Sequence, residues 1–270
     1  MNLAFLDVET TGLSPFCGDR ICEIGILLCV STESLTEIKL KKSYSSLINP
    51  ECNISPGASA INGITNDMVK NAPVFSKIAK TIIKLLKDNI VVCHNANFDI
   101  NFLKKELELA NTDMIDTKII DTLYIARKYF NFPSNSLPNL AYYLGIKTKT
   151  YHRALSDAHL TKNILVYFID KLNERNISKT EYIHDIKTKI SQKPNRNNFI
   201  ILPTLIEELI NTSKKIHIKY ISSDGELTER VIMPKEIVRE NNYIYLVAYC
   251  YLRNSERMFR LDRVIEYKTD

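Results

Sequence analysis

The sequence predicts an α/β domain with a mixed central sheet, followed by a smaller β-rich domain. Three observations carry this expectation. Up to about residue 172, strand-like and helix-like segments alternate, the pattern of a sheet covered by helices. After residue 199 the texture changes to short strands behind one leading helix. Between the two, residues 171–198 are polar, rich in Asn and Lys, and hold seven basic against three acidic side chains. The expected division is therefore a first domain over 1–172, a basic linker over 173–198 and a second domain over 199–270.

The elements follow in order. Leu3–Glu9 and Ile21–Val30 are nearly continuous apolar runs, as expected of strands covered on both faces. Lys42–Ile48 and Ile90–Cys93 are further strands. Val74–Leu86 repeats apolar residues at helical spacing, and Phe98–Leu109 reads as the next helix. A short strand near Met114–Thr117 leads into a helix over Ile120–Tyr129. Leu137–Leu144 and Ala154–Leu172 also read as helices, and a short helix is expected around Tyr182–Ile190. In the second domain a helix over Pro203–Thr212 carries Leu205, Ile206, Leu209 and Ile210 on its apolar side. Strands are expected at Ile216–Ile221, Leu227–Met233, Tyr243–Tyr251, Met258–Leu261 and Val264–Tyr267. Asp224-Gly225 is a strong short-range hairpin signal.

Composition limits the function classes. The 270 residues are 45% hydrophobic and 25% charged, a soluble globular balance. No apolar run approaches the ~20 residues needed to cross a bilayer, so no membrane partner is expected. No basic stretch with an apolar core opens the chain, and no signal peptide is expected. Cys17, Cys22, Cys29, Cys52, Cys93 and Cys250 form neither a CxxC pair nor a zinc spacing. They read as reduced thiols of a cytoplasmic protein. The net charge of +5 is modest, and its excess lies mainly in the connector, where solvated charge is the plain explanation.

Within this frame, "FLDVETTGL" (Phe5–Leu13) places two acids in an otherwise apolar strand. Side chains at i and i+2 leave a strand on the same face, so Asp7 and Glu9 point together. Burying both is costly unless a cation lies between them. Two further acids have unusual settings: Asp99 in the first turn of a helix after His94-Asn95-Ala96-Asn97, and Asp157 in a helix preceded by His152. Singly, each has an ordinary explanation as a dipole-favoured or solvated helix residue.

Together they match a known pattern. Asp7 and Glu9 in "LDVETTGL", followed by "DRICEIGILL", Asp99 in "VVCHNANFDINFL", and His152 with Asp157 in "HRALSDA" resemble the DEDDh family of 3′–5′ exonucleases, of the polymerase III epsilon-like and ribonuclease T-like kind. The intervening "NPECNISPGASAINGITNDMV" and "IIDTLYIARKYF" follow the family's course. The resemblance covers about residues 1–170 and implies a ribonuclease H-like fold. It also implies two Mg²⁺ or Mn²⁺ ions ~3.5–4 Å apart that activate water and neutralise the leaving 3′-oxygen. Hard oxygen ligands suit those metals, and no cysteine or histidine cluster argues for zinc. By resemblance Asp7 bridges both ions, Glu9 and Asp157 hold the one that binds the attacking water, and Asp99 supports the second through water. His152 is the implied general base. Five residues of continuous helix would separate His152 from Asp157 by ~140°, so His152 must precede the helix. Thr10, Thr11, Gly12 and Leu13, with Ile61, Asn95 and Phe98, are implied contacts for the terminal nucleotide. Asn62-Gly63-Ile64-Thr65 stands where the family often has His-Gly-Ile-Thr, a departure that bears on substrate preference and leaves the metal site untouched.

The last 70 residues resemble a WYL domain, a small Sm-like β-barrel. The core motif is Ile244-Tyr245-Leu246, with the usual tryptophan replaced, and "RMFRLDRV" is well kept. The resemblance implies a ligand, single-stranded nucleic acid or a nucleotide, at Tyr245, Tyr249, Arg257, Arg260 and Arg263. The expectation is thus a metal-dependent 3′–5′ exonuclease acting on single-stranded DNA or RNA 3′ ends, DNA favoured, with a C-terminal sensing domain. An RNA-trimming exonuclease, and a non-catalytic nucleic-acid-binding regulator that retains the nuclease fold, are the alternatives. Loss of an acid or of His152 would have favoured the regulator, and none is lost. A polymerase or repair partner is not assigned by sequence.

Overall fold

The computed structural model describes residues 1–12, 15, 18–147, 152–185, 209–212, 214–221, 227–240 and 243–269. The chain divides into two compact units, Met1–Ile190 and Ser191–Asp270.

In the first unit β1 (Asn2–Thr10), β2 (Ile21–Ser31) and β3 (Ile38–Leu47) form an antiparallel run. β4 (Ile90–Cys93) and β5 (Lys118–Asp121) join parallel on the other side of β1, and β6 (Ile183–Asp185) pairs antiparallel at the edge. The resulting order, β3-β2-β1-β4-β5-β6, is the expected mixed sheet. Its helices are α1 (Pro56–Asn62), α2 (Asn66–Val69), α3 (Phe75–Leu86), α4 (Ala96–Leu109), α5 (Thr122–Tyr129), α6 (Leu137–Tyr143) and α7 (Ala154–Glu174).

β1 is apolar at both parities because both its faces are covered. Ala4, Leu6 and Val8 share one core with Phe75 and Ile82 of α3 and with Phe102 and Leu103 of α4. Leu3 and Phe5 share the opposite core with Ile125, Leu140, Ile164 and Phe168 of α5, α6 and α7. Each such Leu or Phe removed from water contributes ~1.5–3 kcal/mol. Continuing the odd parity, Asp7 and Glu9 leave the sheet on the face that α7 covers.

Two local expectations shift. The strand expected near Met114–Thr117 lies at Lys118–Asp121, where parallel pairing with β4 sets its register (Val91 with Ile119, Cys93 with Asp121). Tyr182 is fully buried and the next three residues form β6 where a short helix was expected. The start of the supposed connector therefore packs on the first sheet.

The second unit pairs β7 (Ile216–Ile221), β8 (Leu227–Glu240), β9 (Tyr243–Cys250), β10 (Ser255–Arg260) and β11 (Val264–Thr269) in the order β10-β9-β8-β7-β11, all antiparallel. A 3₁₀ turn, Leu261–Arg263, carries the chain from β10 to β11. Ile216, Ile218, Ile232, Leu246, Ala248, Cys250 and Phe259 form its core, with Leu209 packed against them. β8 runs past the expected Met233 through a register shift at Pro234, where proline supplies no ladder N–H. Among the described residues β10 and β11 are not paired, so the sheet order is linear where a barrel was expected. Residues 203–208 of the expected helix and the Asp-Gly turn at 224–225 lie outside the described residues.

Candidate active site

The site is built where three elements meet at the end of β1. In the β1–β2 ladder Asp7 faces Gly25 and Glu9 faces Glu23. Position 25 requires glycine: a Cβ there would come within 2.4 Å of the Ala154 and Leu155 backbone. The first turn of α7 thus rests directly on β2 and brings Asp157 to Glu9. Ligand atoms of Glu9, His152 and Asp157 all lie within 4.8 Å of one another. His152 precedes α7, as the spacing requires, with φ at 56°. Its N–H donates to Asp157 Oδ2 at 3.0 Å.

Asp99 arrives from the first turn of α4, where its Oδ1 accepts the Val8 N–H at 3.1 Å. α4 departs from Asn95, whose left-handed φ of 69° suits asparagine better than most residues. The Asn95 N–H is held by Asp121 Oδ1 at 3.1 Å, and the same oxygen caps α5 through Leu123 and Tyr124. His94 bridges Thr122 Oγ1 at 2.9 Å and the Asn135 carbonyl at 3.0 Å. Burial lowers its pKa to about 4, so it acts as a neutral brace.

The electrostatics are those of negative charge held together. Burial, then the proximity of Asp99 and Glu9, pushes Asp7 well above the usual carboxylate range. Burial does the same to Asp99, against the pull of backbone N–H groups. Burial, then Asp157 and Glu23, raises Glu9 to about 8, opposed by Arg153 and by a hydrogen bond from Asn62. Burial raises Asp157 to about 6, opposed by His152. Asp157 Oδ1 is buried with no hydrogen-bond partner. Burial pushes the nearby Cys22 thiol up to about 12, so it stays protonated and the available donors are oxygens and one imidazole. Such a set fits a hard divalent cation.

The residues expected at the terminal nucleotide separate into two groups. Thr10 Oγ1 donates to the Gly12 carbonyl at 2.5 Å and Thr11 Oγ1 accepts the Arg20 N–H at 3.0 Å. Both hydroxyls are buried and shape the loop itself. A Cβ on Gly12 would meet the Asp19 carboxylate at 2.3 Å. Ile61 is 61% exposed on α1, and Phe98, half-buried, packs its ring 4.9 Å from Phe102. These two present apolar surface outward. Leu13 lies outside the described residues. Asn62 is buried, donates to the Thr10 carbonyl at 3.3 Å and accepts from Ile64 N–H at 2.9 Å. Glu23, Arg153 and Asp121 were not singled out from sequence. Glu23 was legible as a third acid in an apolar strand.

In the second unit the expected ligand residues fall into two groups, Tyr245, Tyr249 and Arg260 on one face of the sheet and Arg257 with Arg263 elsewhere. Tyr245 pairs across the ladder with Arg260, and Tyr249 with Glu256, while Arg257 pairs with core-facing Ala248. Cross-strand partners share a face, so Arg257 lies opposite the tyrosines. Instead Arg257 and Arg263 line a cleft of about 310 Å³ with Arg230, Arg253, Tyr220 and Phe259. Among the described residues no acid lines it, and Arg230 Nη1 and Arg263 Nε are buried without hydrogen-bond partners. A larger cleft, about 440 Å³, holds Lys219 and Glu266, which neutralise each other at 2.6 Å.

The Exonuclease family model matches residues 4–165. The chain belongs to this exonuclease family. A second model, the WYL domain, matches residues 203–269 of the chain. The DNA polymerase III subunit epsilon of Rickettsia typhi is 35% identical over 209 residues, covering 71% of this chain and 89% of that protein. The PolC-type DNA polymerase III of Thermotoga petrophila is 32% identical over 185 residues, 68% of this chain and 13% of that far longer protein. The 3′-5′ exonuclease DinG of Bacillus subtilis is 34% identical over 170 residues, 63% of this chain and 18% of that protein. Among solved structures, exonuclease I shares the fold with a TM-score of 0.56 at 17% identity, over 92% of this chain and 55% of that one. Exonuclease X, in complex with 5′ overhanging duplex DNA, gives 0.51 at 24% identity, over 67% and 96%. Among the described residues no helix is long and apolar enough to cross a membrane.

Proposed function

We propose that this chain is a 3′–5′ exonuclease that hydrolyses single-stranded nucleic acid, DNA in preference, to nucleoside 5′-monophosphates. The observation that carries the reading is the convergence of Asp7, Glu9, Asp99 and Asp157 with His152 at one strand end. Asp7, Glu9, Asp99 and Asp157 would hold two divalent ions, Mg²⁺ or Mn²⁺, which when bound supply positive charge for the leaving oxygen and acidify water. The protein's own residues do the rest. His152, at the open edge of the group, accepts the proton of the attacking water. The Val8 N–H holds one Asp99 oxygen and so fixes the carboxylate's direction. Ile61 and Phe98 offer the terminal base an apolar contact. Incubation with 3′-labelled and 5′-labelled DNA and RNA oligonucleotides, in Mg²⁺, Mn²⁺ or excess chelator, tests this. The expected result is 5′-monophosphate release from 3′ ends that stops with chelation. Cleavage persisting in chelator would refute it, and faster trimming of RNA would select the RNA-processing alternative.

For the WYL domain the supported ligand is phosphate-bearing, a single-stranded nucleic acid or nucleotide. Four arginines facing a cleft that, among the described residues, holds no acid carry that reading, since guanidinium forks suit phosphate oxygens.

A further inference from the structure

Glu23 is a fifth carboxylate beside the four, and the proposed chemistry has no use for it. It is 2% exposed and directly faces Glu9 across the β1–β2 ladder, where like charges repel. Its oxygens are fully engaged. Arg153 Nε donates to Oε1 and Oε2 at 3.2 and 3.1 Å, Arg153 Nη2 donates to Oε1 at 2.8 Å, and the Ala154 N–H donates to Oε2 at 3.1 Å. Both donors belong to the two residues that follow His152. Arg153 occupies the N-cap position of α7 with no side-chain cap of its own, so Glu23 provides from the sheet the acceptor that a helix start needs. Just before this joint, His152 holds a positive φ, a conformation that persists only where its surroundings enforce it.

We propose that Glu23 and Arg153 are positioning residues, a latch that holds His152 over the carboxylates; the proposal rests on the exonuclease reading, with His152 as proton acceptor. The bidentate pair fixes the residue after His152 to β2, and the His152 N–H bond to Asp157 fixes His152 itself. The guanidinium also cancels the Glu23 charge opposite Glu9, which leaves the site's negative charge to the carboxylates that face the substrate. Neither residue touches the reacting atoms; both act through His152.

The test uses the full chain and hydrolysis of a 3′-labelled oligonucleotide in saturating Mn²⁺. Arg153→Ala and Glu23→Gln are each measured in the wild-type and in the His152→Ala backgrounds. Misplacing a catalytic group by about 1 Å costs ~10²-fold, so each substitution is expected to lower kcat ~10–100-fold in the wild type with KM unchanged. In the His152→Ala background the same changes should alter kcat by less than about twofold, because the residue they serve is gone. Arg153→Lys, which keeps the charge, should recover part of the loss. Equal losses in both backgrounds, with an active wild type, would overturn the latch and leave a pair that only secures α7. An inactive wild type would overturn the exonuclease reading and the latch with it. Should Arg153→Ala fail to fold, Glu23→Gln, which keeps an acceptor for Ala154, carries the same comparison.

Discussion

The two units of this chain gather opposite charges. At the end of β1, Asp7, Glu9, Asp99 and Asp157 crowd together with their carboxyls pushed above the usual range. In the WYL domain, Arg230, Arg253, Arg257 and Arg263 gather around a cleft that no acid lines among the described residues. Each leaves buried polar atoms unpartnered: Asp157 Oδ1 in one, Arg230 Nη1 and Arg263 Nε in the other. Such atoms cost stability until a partner arrives, and the two charges call for opposite partners, a cation and an anion. The sites also differ in construction. The acids come from β1, α4 and α7 and are tied by hydrogen bonds that cross the sequence, such as Val8 to Asp99. The arginines come from neighbouring strands and turns of one small sheet. A site assembled from distant elements and cross-tied is rigid and depends on every member; a site on one sheet's end can lose a member and keep the rest.

The largest effect separates the two directly. Asp7→Asn should abolish hydrolysis while leaving the WYL cleft intact. In chelator it should also raise the melting temperature, because one buried repelling charge is gone. Oligonucleotide digestion and thermal unfolding check both halves, and a substituted chain less stable than wild type would break the picture of repulsion. Next, His152→Ala should slow the chemical step ~10²–10⁴-fold, the usual share of a general base, with metal affinity by titration calorimetry nearly unchanged. Smaller, and confined to the other unit, Arg230→Ala with Arg263→Ala should weaken oligonucleotide binding and reduce its salt slope by about 1–2. Binding is measured on the cleavage-defective Asp7→Asn chain by fluorescence anisotropy across salt. An unchanged slope would mean that these guanidiniums brace the fold.

The smallest effect is a matter of pH. Glu9 and Asp157 have pKa values raised from 4.5 and 3.8 to about 8 and about 6. Between those limits the folded chain binds more protons than the unfolded one, so metal-free stability falls as pH rises from about 4 to about 8. Melting temperatures in chelator should decline across that window, and added Mn²⁺ should flatten or reverse the trend. A metal-free chain that grows more stable toward pH 8 would contradict the raised values.

The acids were legible because carboxylates inside apolar strands and at helix starts stand out against their setting. By the same argument Glu23, between Cys22 and Ile24, could have been found, since those two are fully buried. Arg153 could not, because a single arginine before a helix carries no signal until Glu23 is known to face it. α1 and α2, seven and four residues long, are too short for helical periodicity to register. β5 fell four residues from its expected place because parallel pairing with β4, a long-range contact, decides its register. In the WYL domain Arg257 parts from Arg260 and the tyrosines because residues three apart on β10 face opposite ways. Arg230 and Arg253 join the cleft from β8 and from the turn after β9, which no local motif announces.

Gly25 sets a tolerance. Since backbone meets backbone there, at a distance that leaves no room for one more carbon, no rotation of a neighbouring side chain can absorb an insertion. The gap between β2 and α7 behaves as a fixed gauge for the whole carboxylate site. A Gly25→Ala chain would retain all four carboxylates and the imidazole, yet stand with α7 pushed off β2. Chemically complete and mechanically out of adjustment, it would separate what the ligand set contributes from what its spacing contributes.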